Sequence, residues 1–288
     1  MGEYIIFTDT ACDIEPELLS DWGVRFASLT FRFDGDEKEY KNGEMPILDF
    51  YQKMRNGGVA KTAAANSEDF TVCFEAALAE GFDLLYLGFS SGLSTTYNSA
   101  RIAARELSEK YPDRKIEVID TLCASAGEGM AVYLAVQKKK SGATLEENAE
   151  YIRGMLPCMC HWFTVDDLVY LKRGGRVSPA AAFFGNALGI KPVMHVDNEG
   201  HLIPVTKVRG RKMAIAELAN RYGEMAKNPG EGPVFISHGD CQRDVDELAR
   251  LLSERYGAKL DIVTYVGPVI GAHSGPGTLA VFFMGTER

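Results

Sequence analysis

Short apolar segments alternate with amphipathic segments through the first half of this chain, and this rhythm constrains its fold most. Residues 4–7, 84–87 and 115–119 have the composition of buried strands, whereas residues 98–110 and 126–140 have the spacing of helices. Parallel strands need long crossover connections, which are usually helices. The alternation therefore predicts an α/β fold with a mostly parallel sheet in the first half.

The segments between these elements are less regular. Residues 24–31 alternate loosely and are predicted to form one strand, and residues 45–56 are predicted to form a helix. Residues 60–66 are mostly small and are interpreted as a loop. Such a loop either lets a ligand or another backbone approach closely, or is a plain connector. Thr62 and Asn66 are the neutral hydrogen-bonding side chains in it.

The rhythm changes after Pro157, which predicts a domain boundary between residues 1–156 and residues 157–288. The second half is expected to contain an antiparallel hairpin that turns at residues 198–200, and a helix at residues 166–171. Further strands are expected at residues 234–237, 260–266 and 279–284. We therefore predict a second α/β domain with a mixed sheet.

The loop at residues 88–97 follows a strand and precedes a helix, which is where open α/β sheets bind ligands. Hydroxyl side chains surround Gly92, and the loop contains no Lys or Arg. Backbone N–H groups at a helix start favour an anion, so this composition favours a singly charged group such as a carboxylate. A helix N-cap at Ser94 or Thr95 explains the same residues equally well.

Charge and hydropathy exclude several classes of function. With 31 basic and 40 acidic residues the net charge is −9. This charge argues against nonspecific nucleic-acid binding, which depends on Lys and Arg. The first residues lack the basic and apolar regions of a secretion signal, and no apolar run approaches the roughly 20 residues that span a bilayer. We therefore expect a cytoplasmic protein.

Six cysteines are spread along the chain, and a disulfide framework is not expected without a secretion signal. Cys158, Cys160 and His161 form a cluster that suggests zinc, but the sequence has no second ligand pair with matching spacing. It also lacks the Gly-x-Gly-x-x-Gly and Walker A fingerprints of nucleotide binding. We therefore expect neither a metal nor a cofactor.

His273 lies within residues 267–277, a loop rich in Gly and Pro that is expected to hold one imidazole rigidly. The ring is interpreted either as a functional group or as a buried histidine bonded to the backbone. Residues 179–190 are uncharged and apolar almost all round. They are expected to form a helix that lies in the core or lines an apolar ligand cavity.

Basic residues form two spots on this acidic protein, which are interpreted as solvated charge or as a docking patch for an anionic ligand or partner. These residues are Arg173, Arg176, Arg209 and Arg211.

Six stretches of the sequence together resemble the DegV family of fatty-acid-binding proteins, which carry the lipid for bacterial fatty acid kinase. The resemblance covers nearly the whole chain and depends on the order of the stretches, since each alone is a weak signal. They are residues 8–10, 90–97, 168–178, 190–193, 208–212 and 267–277.

This resemblance implies two α/β domains with a ligand in the cleft between them. The ligand would be a long-chain fatty acid, with its tail in the apolar interior and its carboxylate bound by Thr62, Ser94 and His273. Supporting positions in the head-group loops would be Ser91, Gly92, Thr95 and Asn66. The acyl-chain pocket is expected to include Phe183, Phe184, Leu188 and Ile190.

The family further implies that a separate ATP-dependent kinase phosphorylates the bound carboxylate to an acyl phosphate. This chain would then supply the substrate without being an enzyme itself, and it would contact membranes only transiently. Arg173 and Arg209 match basic family positions that would face the head group or the kinase. The chain departs from the family at residues 62–66, where Thr-Ala-Ala-Ala-Asn replaces the frequent Thr-Ser-Gln-Pro-Ser.

Two other hypotheses remain open from the sequence. The first is a stand-alone hydrolase or transferase that acts on a small anionic substrate with His273 and Ser94. The second is a scaffold or regulator whose ligand only stabilises the fold. Turnover without a partner would distinguish the enzyme from the carrier.

Overall fold

Thirteen strands and ten α-helices are found in the part of the chain that the computed structural model describes, residues 3–178 and 189–288. The strands are β1 Tyr4–Asp9, β2 Val24–Ala27, β3 Thr30–Phe33, β4 Tyr40–Lys41, β5 Ala60–Ala63, β6 Asp83–Gly88, β7 Ile116–Asp120, β8 Met159–Thr164, β9 Ile190–Val196, β10 Leu202–Arg209, β11 Val234–His238, β12 Ile262–Tyr265 and β13 Leu279–Met284. The helices are α1 Pro16–Asp21, α2 Ile47–Arg55, α3 Ser67–Ala79, α4 Thr96–Lys110, α5 Ala126–Lys140, α6 Leu145–Met155, α7 Val169–Arg173, α8 Arg211–Met225, α9 Gln242–Tyr256 and α10 Pro268–Ser274.

The first half forms the predicted parallel sheet, in the order β2-β1-β6-β7. Strands β1 and β6 are buried along their whole length, as expected for central strands that helices cover on both faces. Helices α3 and α4 pack with one side of this sheet, and helices α5 and α6 pack with the other. The α/β class is therefore confirmed.

Two predictions in this half are wrong in detail. Residues 24–31 form two strands, because β2 joins the parallel sheet whereas β3 joins a small antiparallel sheet of order β4-β3-β5. Residues 60–66 are not a loop throughout, since β5 pairs with β3 and places Thr62 opposite Phe31. The aromatic rings of Phe31 and Phe33 pack against Phe50, which buries one face of this small sheet.

The second half forms a mixed sheet of order β10-β9-β8-β13-β11-β12. Within this sheet, only β11 and β12 are parallel neighbours among the described strands, and the other pairs are antiparallel. Strand β8 was not predicted, although all six of its residues are buried. Cys160 and His161, which were considered as zinc ligands from the sequence, belong to this fully buried strand. The mixed sheet predicted for this half is confirmed.

Three further expectations concern local structure. The helix expected at residues 166–171 is α7, which begins later, at Val169. The segment 267–277 contains the helix α10 and is not a loop throughout, so His273 is held on a helix. The helix expected at residues 179–190 lies outside the described residues except at its end, where Ile190 begins strand β9.

Helix α5 lies between the parallel and the mixed sheets and is buried through most of its length. Two glycines in its first turns permit this close packing. A Cβ on Gly127 would lie 2.0 Å from Nε2 of His161 in the mixed sheet, and a Cβ on Gly129 would lie 2.9 Å from the carbonyl oxygen of Cys12. The N-terminal end of α5 is therefore held between the two halves of the chain.

Candidate functional site

The fold encloses a cavity of about 480 Å³, within the size range of pockets that hold small organic ligands. Its lining combines residues of both halves. Phe163 of β8, with Ala280 and Phe282 of β13, forms an apolar wall from the mixed sheet. Phe89 and Leu93, which follow β6, contribute apolar surface from the first half. The cavity therefore offers an apolar interior between the two sheets.

Thr62 and His273 meet in the lining of this cavity, although they are far apart in sequence. Thr62 Oγ1 and His273 Nε2 lie 2.8 Å apart, within hydrogen-bond distance. Strand β5 supplies the threonine and helix α10 supplies the histidine. Burial, and secondarily the positive charge of Arg176, lowers the pKa of His273 to about 4. The imidazole is therefore neutral at neutral pH and serves as a polar hydrogen-bonding group.

Ser94 also lines the cavity, and its hydroxyl has a structural partner as well. Ser94 Oγ accepts a hydrogen bond from the backbone N–H of Thr96 at 3.2 Å and lies 2.9 Å from Thr96 Oγ1. Thr95 is the N-cap residue of α4, but its side chain caps none of the described backbone N–H groups. The two interpretations of this loop are thus compatible, because Ser94 bonds the first turn of α4 and lines the cavity at the same time.

Arg176 brings a positive charge to the same region, although the sequence indicated it only as part of a basic spot. Its Nε donates to the carbonyl oxygen of Leu93 at 3.2 Å, and its Nη1 donates to the carbonyl oxygen of Gly174. The side chain lines the cavity. Arg173 and Arg209 are exposed and are not among the described residues of the lining. The two glycines before Arg176 are the only sequence signal that singles it out.

The structure brings some of the supporting positions to the cavity and leaves others away from it. Ser91 and Thr95 line it. Gly92 instead packs on the β9–β10 turn, where an added Cβ would lie 2.8 Å from the carbonyl oxygen of Glu199. Asn66 is the N-cap of α3, and its side chain accepts a hydrogen bond from Asp69 N at 3.0 Å.

The acyl-chain residues proposed from the sequence are only partly described. Phe183, Phe184 and Leu188 lie outside the described residues. Ile190 is described, and it is not among the residues there that line the cavity. Other apolar side chains form the described walls, namely Phe163, Ala280 and Phe282 of the mixed sheet and Phe89 and Leu93 after β6.

A second group of polar side chains lines the cavity beside the start of α5. Ser125 Oγ donates to Asp13 Oδ2 at 2.5 Å and lies 2.8 Å from Ser237 Oγ. Burial raises the pKa of Asp13 to about 8, although its hydrogen bond from Ser125 opposes this rise. Ser125, Ser237 and His161 all line the cavity. None of these three residues was predicted from the sequence to belong to the site.

Within residues 3–178 and 189–288, no group of three or more His, Cys, Asp or Glu side chains could hold a metal ion. The cysteines there are unpaired thiols. None of the described helices combines the length and the apolar character needed to cross a bilayer.

Comparison with known proteins gives one consistent result. A family model described as "Uncharacterised protein, DegV family" matches residues 4–286. A DegV domain-containing protein of Clostridium perfringens is 41% identical over 289 residues, which cover 100% of this chain and 99% of that protein.

Solved structures agree with the family match. One is a DegV lipid-binding protein of Thermotoga maritima, with a TM-score of 0.87, 31% identity and coverage of 99% of both chains. Another is a DegV family protein of Thermus thermophilus whose fatty acid binding was studied, with a TM-score of 0.88 and 30% identity. It covers 99% of this chain and 100% of its own. The chain therefore belongs to the DegV family.

Proposed function

We propose that this protein binds a long-chain fatty acid, with the carboxylate at Thr62, Ser94 and His273 and the acyl chain in the apolar cavity. The observation that carries the proposal is the joint placement of the Thr62–His273 pair and Ser94 in the lining of one largely apolar cavity. The lipid and fatty acid binding of the related Thermotoga and Thermus proteins supports it.

The energetics of such a site are favourable. Each methylene moved from water into the apolar cavity contributes about 0.8 kcal/mol, so a long tail needs few polar contacts. The hydroxyl groups of Thr62 and Ser94 can donate to a carboxylate, and Arg176 supplies a nearby positive charge. Because His273 is neutral, the site carries a modest positive charge that matches one carboxylate.

We further propose that the bound carboxylate is the substrate of a separate ATP-dependent kinase, which converts it to an acyl phosphate. Only the family resemblance supports this step. Arg173 and Arg209 are exposed and are the residues that we propose for contact with the kinase or with the head group. We propose the boundary between the two domains near residue 157 on the change of sheet type between the two halves.

Two measurements test the carrier function. Denaturing mass spectrometry of the natively purified protein should detect a co-purified fatty acid, and the emptied protein should bind oleate or palmitate. A protein that is repeatedly empty and binds neither acid would contradict the proposal. Addition of ATP and a fatty acid kinase should then yield acyl phosphate, whereas turnover without the kinase would favour a stand-alone enzyme.

A further inference from the structure

Strand β13 extends from the head-group end of the cavity toward its far end. It follows α10, the helix that carries His273. Thr278, just before the strand, and Ala280 and Phe282, within it, alternate along the chain and all line the cavity. Thr278 is therefore at the head-group end, and Phe282 lies about 13 Å further along the strand direction.

One row of side chains crosses the mixed sheet between these two ends. Ala280 is paired with Phe163 of β8 and with Ser237 of β11, and paired side chains share a face with their Cβ atoms about 5 Å apart. All three line the cavity. The next members of the row, Met194 and Thr264, are not among the described lining residues. At this level the described part of the mixed sheet therefore offers three side chains to the cavity.

Ala280 is the low point of this row, because both of its neighbours rise above it. The aromatic ring of Phe163 stands on one side. On the other side Ser237 Oγ lies 2.8 Å from Ser125 Oγ at the start of α5, so this contact joins the sheet to the helix. A passage is thus left over the methyl group of Ala280.

Two aromatic rings lie beyond this passage. Phe282 and His161 meet edge to face with their ring centroids 5.3 Å apart, and both line the cavity. Both rings also pack against Gly127 of α5, where an added Cβ would lie 2.8 Å from Phe282 Cδ1 and 2.0 Å from His161 Nε2. These rings are therefore held in place by the backbone of α5.

We propose that Ala280 determines the length of the acyl chain that this protein accepts, because the tail passes over its methyl group to reach Phe282. This inference rests on the proposed fatty acid binding. A larger side chain at position 280 would fill the passage and stop the tail near Thr278. The step from Ala280 to Phe282 spans about 7 Å along the strand, which is the length of roughly five carbons of an extended chain.

The test is competition binding of the even-numbered saturated acids from octanoate to stearate to delipidated wild type and Ala280→Leu. In the wild type, each added methylene should raise the affinity about fourfold up to the longest chain that the cavity holds. In Ala280→Leu this rise should end about five carbons earlier. Stearate should then lose more than about tenfold in affinity, whereas acids too short to reach residue 280 should bind both proteins equally.

Two further variants show whether the effect belongs to the passage. Val281→Leu is the matched control, because it enlarges the next residue of β13, which is buried in the core on the other face of the sheet and is not among the described lining residues. It should keep the chain-length profile of the wild type. Phe282→Leu enlarges the space beyond the passage, so its preference should move toward longer acids.

Ala280→Cys gives a second measurement with little added volume, which keeps the inference testable if Ala280→Leu is unstable. Methyl methanethiosulfonate should modify the introduced thiol through the empty cavity, and peptide mass spectrometry distinguishes it from the natural cysteines. Palmitate should protect this thiol, whereas acids too short to reach residue 280 should not.

The outcomes separate this inference from the function on which it rests. Identical chain-length profiles of the wild type and a folded Ala280→Leu would overturn the inference and leave the carrier function intact. Bound palmitate that leaves the introduced thiol unprotected would do the same. Failure of every acid in the series to bind the wild type would overturn both.

Discussion

Gly174 lies directly against the ring of His273, and a Cβ added to this glycine would be 2.1 Å from His273 Nδ1. Gly174 has a φ of −72°, which any residue adopts. The backbone conformation therefore does not require glycine here. Glycine is required because the imidazole occupies the space that a side chain would need. Because His273 Nε2 is bonded to Thr62 on the other side, the ring is held from two directions.

Gly174→Ala should therefore displace the His273 ring and weaken its hydrogen bond with Thr62. We expect fatty acid affinity to fall about tenfold, which corresponds to the loss of one hydrogen bond at the head group. Gly154→Ala on α6 is the control, since nothing lies within 4 Å of the added Cβ there. Equal affinities of the two variants in a fluorescence displacement assay would argue against a role for His273 in carboxylate binding.

The neutral state of His273 predicts a pH dependence of stability. The pKa of this ring in the folded protein is about 4, below the usual 6.5, because of burial and then Arg176. Between these values the unfolded chain binds a proton that the folded ring does not. The stability that this difference contributes is present above pH 6.5 and is lost as pH falls toward 4.

His273→Gln should therefore show a smaller fall in melting temperature between pH 7 and pH 5 than the wild type. Thermal unfolding of both proteins at several pH values measures the difference. The substitution should remove only part of the fall in melting temperature, because burial also lowers the pKa of His161, His195 and His238. Identical pH profiles for the two proteins would mean that His273 is more exposed to water than its contacts indicate.

Much of the first half follows from its sequence, and much of the second half does not. The runs at residues 4–7 and 84–87 predicted β1 and β6 because central parallel strands are apolar throughout. Strand β8 is equally buried, yet it was not predicted, because its Cys160 and His161 interrupt the apolar run and were considered only as zinc ligands, which the spacing did not support. The prediction of one strand at residues 24–31 was wrong for another reason. The chain changes sheets at Ser28 and Leu29, and local alternation does not reveal which sheet a strand joins.

The candidate site, too, could be predicted from local sequence only in part. Thr62 and His273 were assigned to one carboxylate only through the family resemblance, and nothing in their local sequence indicates that β5 and α10 meet. Ser94 could be interpreted locally because a serine before a helix has a known structural role. The contacts of His161 with α5 depend on the packing of two sheets whose strands are distant in sequence, so no local pattern could have indicated them.

The buried carboxyl of Asp13 predicts a pH dependence of opposite sign. Burial raises its pKa to about 8 in the folded protein, whereas the unfolded carboxyl ionises near its usual value of about 4. The contribution of Asp13 to the free energy of unfolding is therefore fully present below about pH 4. It decreases as the pH rises from about 4 through 8 and is lowest at alkaline pH.

Asp13→Asn should remove this loss, and an asparagine also suits the positive φ of 52° at this position. We expect the stability of the variant relative to the wild type to rise by a few kcal/mol between pH 5 and pH 8. Urea unfolding at both pH values measures it. Asp240→Asn is a control with a similar φ of 55°, and it should lose only the half-exposed ion pair with Arg55. A constant difference between Asp13→Asn and the wild type would contradict an uncharged Asp13.

The two roles of Ser94 can be separated by two substitutions. Ser94→Ala removes the oxygen that accepts from Thr96 N and the hydroxyl that lines the cavity. We expect about 1 kcal/mol lower stability, a typical cost of a lost bond at a helix start, together with weaker fatty acid binding. Ser94→Thr keeps the hydroxyl and should retain both properties in part. If Ser94→Ala lowered the melting temperature but bound palmitate as tightly as the wild type, the hydroxyl would serve only the first turn of α4. The carboxylate would then be bound by Thr62, His273 and Arg176 alone.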